Sequence, residues 1–213
     1  MIITGVDAGC AHTAGFRIRI IPTGPPEVLE HVDLHNNEFI RWIYEVESDL
    51  VVFESMLSNG GASQEVIDTA YWNGRFWTAS EYSGKSTAGL TRRNVRILLF
   101  AKDLGGDSDV IQYCAAAYGY ANHKEAKGTA KARGPLYGVT THKWQALGVA
   151  LATWNALKTR QADNFYWDPL YTSSEVFKER RAARRSKKKA KAERDAVKGK
   201  KTGMLFNKME KFR

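Results

Sequence analysis

The sequence predicts an α/β domain built on a mixed sheet of five strands, with helices on its faces and a basic tail after it. Three observations carry this prediction. Short strand-like runs open the chain, two later apolar runs are typical of buried strands, and the segments around them have helical spacing or helix-capping residues. The 213 residues are 43% hydrophobic and 26% charged, which is typical of a globular domain.

The start of the chain predicts an antiparallel meander of three strands. Residues 2–6 form a β-branched run that stops at small, turn-forming residues. Residues 14–21 alternate apolar and polar side chains with the period of a half-buried strand, and a third strand is expected over 28–34. The turns between these runs are short, which favours antiparallel pairing.

The middle of the chain predicts a helix, a buried strand, a second helix and a further strand. Residues 36–46 place four large apolar side chains on one helical face. Residues 49–54 form a continuous apolar run, which is typical of a strand covered on both faces. Ser63 is expected to cap a helix through about Trp77, and the apolar run 95–100 predicts the fifth strand.

The remainder of the domain predicts two more helices with a loop between them. Asp107 or Ser108 is expected to cap the first helix, and Thr141 to cap the second, which reaches about Leu157. Residues 120–139 show no periodic pattern and are expected to form a basic, glycine-containing loop.

Positive charge is concentrated at the end of the chain. Residues 178–213 hold 16 of the 32 basic residues and 4 of the 23 acidic residues, so this segment carries +12 and the rest of the chain −3. We expect one domain over 1–177 and a basic, flexible tail over 178–213. Such a tail favours a polyanion, nucleic acid first, because binding releases condensed counterions. A membrane surface and a merely solubilising role stay open as alternatives.

Other compositional features exclude several classes. No run approaches 18 apolar residues, so no membrane span is expected. The first residues lack a basic leader and a long apolar run, so no secretory signal is expected. Cys10 and Cys114 are too few for a disulfide framework or a zinc site. We therefore expect a cytoplasmic protein with reduced thiols.

Two carboxylates stand at the ends of predicted strands. Asp7 ends the first strand and Glu54 the fourth, each just before small residues. Ligands of open α/β sheets bind at the carboxyl ends of strands, so these side chains converge if the two strands are neighbours. Two close carboxylates require a cation or a shared proton, and Mg²⁺ suits such oxygen ligands. The alternative, that each acid only caps a turn or a helix, stays open.

Four segments resemble the motifs of RuvC-type Holliday junction resolvases, which belong to the ribonuclease H-like nucleases. The first, Ile-Thr-Gly-Val-Asp-Ala-Gly, is similar to the family's Gly-Ile-Asp-Pro-Gly, and the last fits its Asp-x-x-Asp-Ala-Leu-Ala-Val-Ala-Leu helix. The order and spacing of the segments carry the resemblance, which covers about 1–158. The segments are 3–9, 52–56, 94–96 with 105–110, and 142–151.

The resemblance implies a ribonuclease H-like fold, metal-assisted phosphodiester hydrolysis and branched DNA as the substrate. It implies that Asp7, Glu54, His142 and Gln145 are the catalytic residues. The implied metal ligands are Asp7, Glu54 and His142, holding one or two ions of Mg²⁺, with Mn²⁺ as the alternative.

The last motif departs from the family pattern. His142 and Gln145 stand where the family places two acids, and their i, i+3 spacing puts both on one helical face. Imidazole can ligate a metal or act as a base, whereas the Gln145 amide offers only a neutral carbonyl. A second Mg²⁺ is therefore expected to bind weakly. Asp107 and Asp109 are candidates to compensate, although capping of the following helix is the expected role.

Basic and aromatic residues around these motifs are the expected DNA contacts. Four of them lie in the loop before the last helix, where Gly128 and Gly134 are expected to let a phosphate backbone approach, unless the loop is simply solvated. The family stacks an aromatic on an unpaired base after the second motif, which implies Trp72, although core packing is expected for at least two of the four aromatics there. The predicted DNA contacts are Lys124, Lys127, Lys131, Arg133, Arg75, Arg92, Arg93 and Trp72.

The resemblance therefore predicts an endodeoxyribonuclease that resolves Holliday junctions in recombination and repair. A homodimer is expected, because paired nicks need two sites related by symmetry. The small size and separate tail suggest, by analogy, a phage enzyme acting in the host cytoplasm. Three alternatives stay open: an inactive DNA-binding protein of the same fold, a packaging or debranching nuclease, and a sugar kinase-like or actin-like nucleotide binder, for which the chain is too short.

Overall fold

A computed structural model of the chain describes residues 1–55, 63–103 and 105–159. The tail predicted over 178–213 lies outside the described residues, as does the predicted end of the domain. The described strands and helices are β1 (Ile2–Ala8), β2 (His12–Arg19), β3 (Glu27–His35), α1 (Asn36–Glu45), β4 (Leu50–Ser55), α2 (Gln64–Tyr82), β5 (Ser86–Thr91), α3 (Arg92–Phe100), α4 (Asp107–Ala117), α5 (His123–Lys127) and α6 (Thr141–Thr159).

The five strands form one mixed sheet in the order β3-β2-β1-β4-β5. β1, β2 and β3 pair antiparallel as the predicted meander, while β4 pairs parallel with both β1 and β5. The predicted fold class is thus confirmed, and the strand that carries Asp7 is central and adjacent to the strand that carries Glu54.

The fifth strand was predicted in the wrong place. Residues 95–100 belong to helix α3, because Val95, Leu98 and Leu99 have helical spacing and are buried on one face. The side chain of Thr91 caps this helix by accepting a hydrogen bond from the Asn94 amide at 3.1 Å.

The actual fifth strand, β5, consists largely of small side chains and gives little sequence signal. Its Gly89 lies against two larger neighbours: a Cβ there would be 2.6 Å from Ser55 Oγ and 3.3 Å from the Trp77 ring. Small residues are therefore required where β5 packs between β4 and α2, and this requirement removes the apolar bulk by which strands are recognised.

Helices cover both faces of the sheet. One core contains α3, α4 and α6 against side chains such as Phe16 and Val52, and the other contains α1 and α2 against Val6 and Phe53. Alternation along β1 and β4 separates the two sets. Each face of the sheet is thus buried under helices, as the continuous apolar run of β4 predicted.

Two further boundaries differ from expectation. Residues 120–139, predicted to be a loop, contain the short helix α5. Asn122 caps this helix, because its side chain accepts hydrogen bonds from the backbone amides of Lys124 and Glu125. α4 follows Gly106, so neither Asp107 nor Ser108 is its cap residue. The Asp109 carboxylate instead accepts a hydrogen bond from the Gly106 amide at 2.6 Å, which is the capping role expected for that residue.

Among the residues that the structure describes, no helix is both long enough and apolar enough to cross a membrane. Cys10 is exposed, Cys114 is buried, and both are free thiols.

Candidate active site

Asp7 and Glu54 lie side by side at the carboxyl ends of two parallel strands. The register pairs Val6 with Phe53, so the two acids are the next residues on adjacent strands. Because side chains alternate along a strand, both carboxylates point to the face of the sheet that α6 covers, as Gly5 does two residues earlier. The convergence predicted for these two acids is present.

Gly5 is the contact point that fixes α6 on the sheet. A Cβ at this position would clash with the Ala146 carbonyl oxygen and lie 2.6 Å from the Ala150 amide nitrogen, so the backbones of β1 and α6 touch there. Only glycine fits between a strand and a helix this close together. Ala146 and Ala150 are fully buried and, lying one helical turn apart, keep this face of α6 flat.

This contact brings His142 onto Asp7. Two residues of β1 rise by about 6.6 Å and four residues of α6 by about 6 Å, so the steps from Gly5 to Asp7 and from Ala146 to His142 match. β1 and α6 run in opposite directions here, so Asp7 and His142 lie at the same end of the contact. His142 Nδ1 lies 3.0 Å from Asp7 Oδ2. The first predicted pair of catalytic residues is therefore in direct contact.

The carboxylates of Asp7 and Glu54 are both largely buried. The side chains of Asp7 and Glu54 are 16% and 11% exposed. Burial, reinforced by the charge of Asp7, raises the pKa of Glu54 to about 7. Burial also raises the pKa of Asp7, although the hydrogen bond from His142 opposes this. Like charges held together out of water are an arrangement that a bound cation would relieve.

A guanidinium lies among these acids. Arg92 Nε is 3.7 Å from Glu54 Oε1, and Arg92 Nη2 donates a hydrogen bond to Asp107 Oδ1. Burial acts to lower the pKa of Arg92, but the charges of Glu54 and Asp107 outweigh it and raise the pKa. Sequence reasoning assigned Arg92 to DNA and Asp107 to capping, and so missed this network. No signal in the sequence pointed to it, because the strand that ends at Thr91 and places Arg92 was not predicted.

The remaining predicted site residue on α6 has a different environment. Gln145 is half-buried one turn after His142, and among the described residues its side chain forms no hydrogen bond. The described part of the chain contains no group of three or more His, Cys, Asp or Glu side chains arranged to hold a metal ion. The donor set that does fit a hard cation is the pair Asp7 and Glu54, since Mg²⁺ commonly takes one or two carboxylates and completes its shell with water and phosphate.

The basic segment before α6 is folded on itself. Its four cationic residues are exposed or half-buried, and Arg133 lies over the Tyr137 ring at 4.7 Å. Gly128 and Gly134 are required by the fold of the segment itself, since a Cβ on either would clash with a carbonyl of the same segment. Both glycines therefore permit the close backbone contacts around the bridge between Gly128 and Arg133, and the approach of a phosphate backbone to them stays a prediction. The cations are Lys124, Lys127, Lys131 and Arg133.

Two predicted DNA contacts are on the other side of the sheet. Trp72 packs against the α1 and α2 core, and the Arg75 guanidinium stacks on its ring at 4.7 Å. Phe76 and Trp77 are buried, which confirms the expectation that at least two of the four aromatics pack in the core. Arg93 is exposed at the start of α3 and pairs with Asp103 at 2.9 Å.

Comparison with known proteins relates the fold of this chain to that of a solved protein. Neither a scan against protein-family models nor a search of curated proteins finds a match. Among solved structures, Thermus thermophilus RuvC matches with a TM-score of 0.61 at 13% identity, covering 78% of this chain and 99% of that chain. The fold is that of RuvC.

A second solved structure, T. thermophilus RuvC in complex with Holliday junction substrate, matches the chain with a TM-score of 0.55. It is also 13% identical, and the match covers 75% of this chain and 96% of that chain. At this identity the likeness establishes the RuvC-like fold, which the motif resemblance predicted. The chemistry has to be argued from the residues of the site.

Proposed function

We propose that this chain is a metal-dependent endodeoxyribonuclease that cleaves branched DNA of the Holliday junction type. The observation that carries the proposal is the contact between His142 Nδ1 and Asp7 Oδ2 at 3.0 Å, beside Glu54 on the adjacent parallel strand. The RuvC-like fold supports it, since one of the similar solved structures holds a Holliday junction substrate.

Each residue of the site has a distinct task in this proposal. Asp7 and Glu54 would hold a divalent cation, Mg²⁺ or Mn²⁺, which when bound lowers the pKa of water and stabilises the charge on phosphate oxygens. Donation of the Nδ1 proton of His142 to Asp7 leaves Nε2 as the acceptor for a proton from the attacking water. The His142 side chain is 62% exposed, so water and substrate can reach it.

The same edge of the sheet suits an anionic backbone. α3 and α6 both begin there, at Arg92 and Thr141, and helix N-termini carry partial positive charge that favours phosphate. The basic segment with Lys124, Lys127 and Arg133 immediately precedes α6 and is the proposed phosphate track. Arg75 and Trp72 would reach only DNA that passes the opposite face of the sheet.

A two-fold junction is cut symmetrically by two equivalent sites, so we propose that the active form is a homodimer. The mass in solution, measured by light scattering, tests this directly: a dimer that persists on a four-way junction is expected.

The central experiment is nicking of a synthetic four-way junction in Mg²⁺ and then in Mn²⁺. A flap and a linear duplex are compared at one fixed salt concentration, because salt alone changes apparent preference. We expect the junction to be cut preferentially. Asp7→Asn and Glu54→Gln should each reduce the rate by at least about 100-fold, whereas Glu45→Gln, at the far end of α1, should not. Equal cutting of all three substrates would favour a packaging or debranching nuclease.

One observation favours a second candidate, a junction-binding protein that has lost catalysis. Gln145 stands where the family pattern places an acid and supplies no negative charge. Protein that binds the junction but does not nick it in either metal would support this candidate and contradict the nuclease.

A further inference from the structure

Arg92 is built into the candidate site by the fold. It is the first residue of α3 and directly follows β5, whose register with β4 pairs Thr91 with Ser55, one residue past Glu54. The cap that Thr91 provides holds the start of α3 in place. The guanidinium is therefore delivered beside Glu54 by the sheet itself.

The charges around the guanidinium are unbalanced. Asp7, Glu54 and Asp107 carry three formal negative charges, and Arg92 carries one positive charge that no accessible pH removes. The remaining charge of −2 matches one divalent cation. The space between Glu54 and Asp107 is already occupied by the guanidinium, which donates a hydrogen bond to Asp107 and lies 3.7 Å from Glu54. A second divalent cation there would be repelled by the positive charge of Arg92.

We propose that Arg92 is the resident second cation of this site, so that each chain takes up one divalent ion, at Asp7 and Glu54. This inference rests on the nuclease function proposed above. It accounts for the departure on α6, where His142 and Gln145 stand in place of two acids: a site that carries its own guanidinium needs fewer carboxylates. Planar N–H donors also suit phosphate oxygens, and Arg92 is 53% exposed toward solvent.

The number of bound ions distinguishes this role from a structural one. Free Mn²⁺ is counted by electron paramagnetic resonance during a titration of the full chain without DNA. We expect one Mn²⁺ per chain for the unmodified protein and two for Arg92→Gln, because Glu54 and Asp107 then face each other without a cation. The double variant Arg92→Gln with Asp107→Asn should return to one.

Two further variants control for charge and for folding. Arg93→Gln removes the neighbouring guanidinium, which pairs with Asp103 instead, and should leave the count at one. Arg92→Lys keeps the positive charge at the same place and should also bind one ion. Circular dichroism confirms that each variant is folded, as expected for a side chain that is half exposed.

The outcomes separate the two proposals. Two ions in the unmodified protein, or one ion in folded Arg92→Gln, would overturn the role of Arg92 and leave the nuclease function standing. Failure of every variant to bind Mn²⁺ would overturn the proposed metal-dependent function together with the role of Arg92.

Discussion

His142 Nδ1 lies 3.0 Å from Asp7 Oδ2, although 135 positions separate the two residues in the chain. The contact depends on the packing of the Gly5 backbone against the Ala146 backbone. Gly5 lies two residues before Asp7 on β1, and Ala146 lies one helical turn after His142 on α6. The geometry of the candidate site therefore depends on how closely α6 approaches the central strand. Substitutions in the core and in the site consequently test different parts of the same arrangement.

Gly5→Ala should damage both the fold and the site. The added methyl would meet backbone atoms of α6, which cannot rotate away, so α6 must shift outward and carry His142 with it. We expect a loss of about 1–3 kcal/mol in the free energy of unfolding, measured in urea, and at least a tenfold loss of nicking rate.

Gly74→Ala is the matched control for that substitution. Gly74 lies inside α2, and a Cβ there has no atom within 4 Å. Alanine is the better helix former, so this variant should be unchanged or more stable by up to about 1 kcal/mol. Equal stability of the two variants would contradict the close packing of α6 on β1.

His142→Ala should remove catalysis while sparing stability and DNA binding. A positioned general base contributes about 10² to 10⁴ in rate, and the imidazole is largely exposed. His12→Ala is a close control, because His12 is 61% exposed and lies 3.9 Å from Asp33 at the end of an adjacent strand. Similar nicking rates for the two variants would refute a catalytic role for His142.

Deletion of residues 178–213 should weaken DNA binding without changing the chemical step. The segment carries a net charge of +12, so its removal should lower affinity for the junction and flatten the dependence of log Kd on log salt. Kd is measured at four or more salt concentrations, and the single-turnover rate at saturating protein. An unchanged salt slope after deletion would contradict a DNA-binding role for the tail.

The parts of the fold that sequence reasoning predicted are those with strong local signals. The apolar run ending at Glu54 and the β-branched run before Asp7 defined the two strands that build the site. The apolar spacing of α6 placed His142, although Thr141, expected to cap this helix, is its first residue instead. Strand β5 was missed because packing beneath Trp77 requires small residues there. The helix over 95–100 was mistaken for a strand because six consecutive apolar or long side chains hide a helical period.

The charge network was beyond prediction for a different reason. Arg92 and Asp107 are 15 residues apart in sequence and meet only because α3 and α4 both start at the same edge of the sheet. By residue type alone, Arg92 fits DNA binding and Asp107 fits helix capping as well as either fits an ion pair. For Gly128 and Gly134, the sequence likewise gives no sign that the segment folds back on its own carbonyls.

The pH dependence of stability should report the buried carboxylate pair. Glu54 has a folded-state pKa of about 7 against an ordinary 4.5, so the folded protein binds more protons than the unfolded chain between these values. Stability in the absence of metal should therefore fall as pH rises from about 4.5 to 7, by up to about 3 kcal/mol. The raised pKa of Asp7 acts in the same direction.

Urea unfolding in a chelator at several pH values measures this fall, with Glu54→Gln and Glu45→Gln compared. Glu54→Gln should flatten the curve because the titrating group is gone, whereas Glu45→Gln, with its carboxylate exposed on α1, should not. Saturating Mg²⁺ should also reduce the fall, since a cation that binds the ionised carboxylates favours the folded state at high pH. If the Glu54→Gln curve ran parallel to that of the unmodified protein, Glu54 would titrate normally. The burial of Asp7 and Glu54 as a carboxylate pair with raised pKa values would then be contradicted.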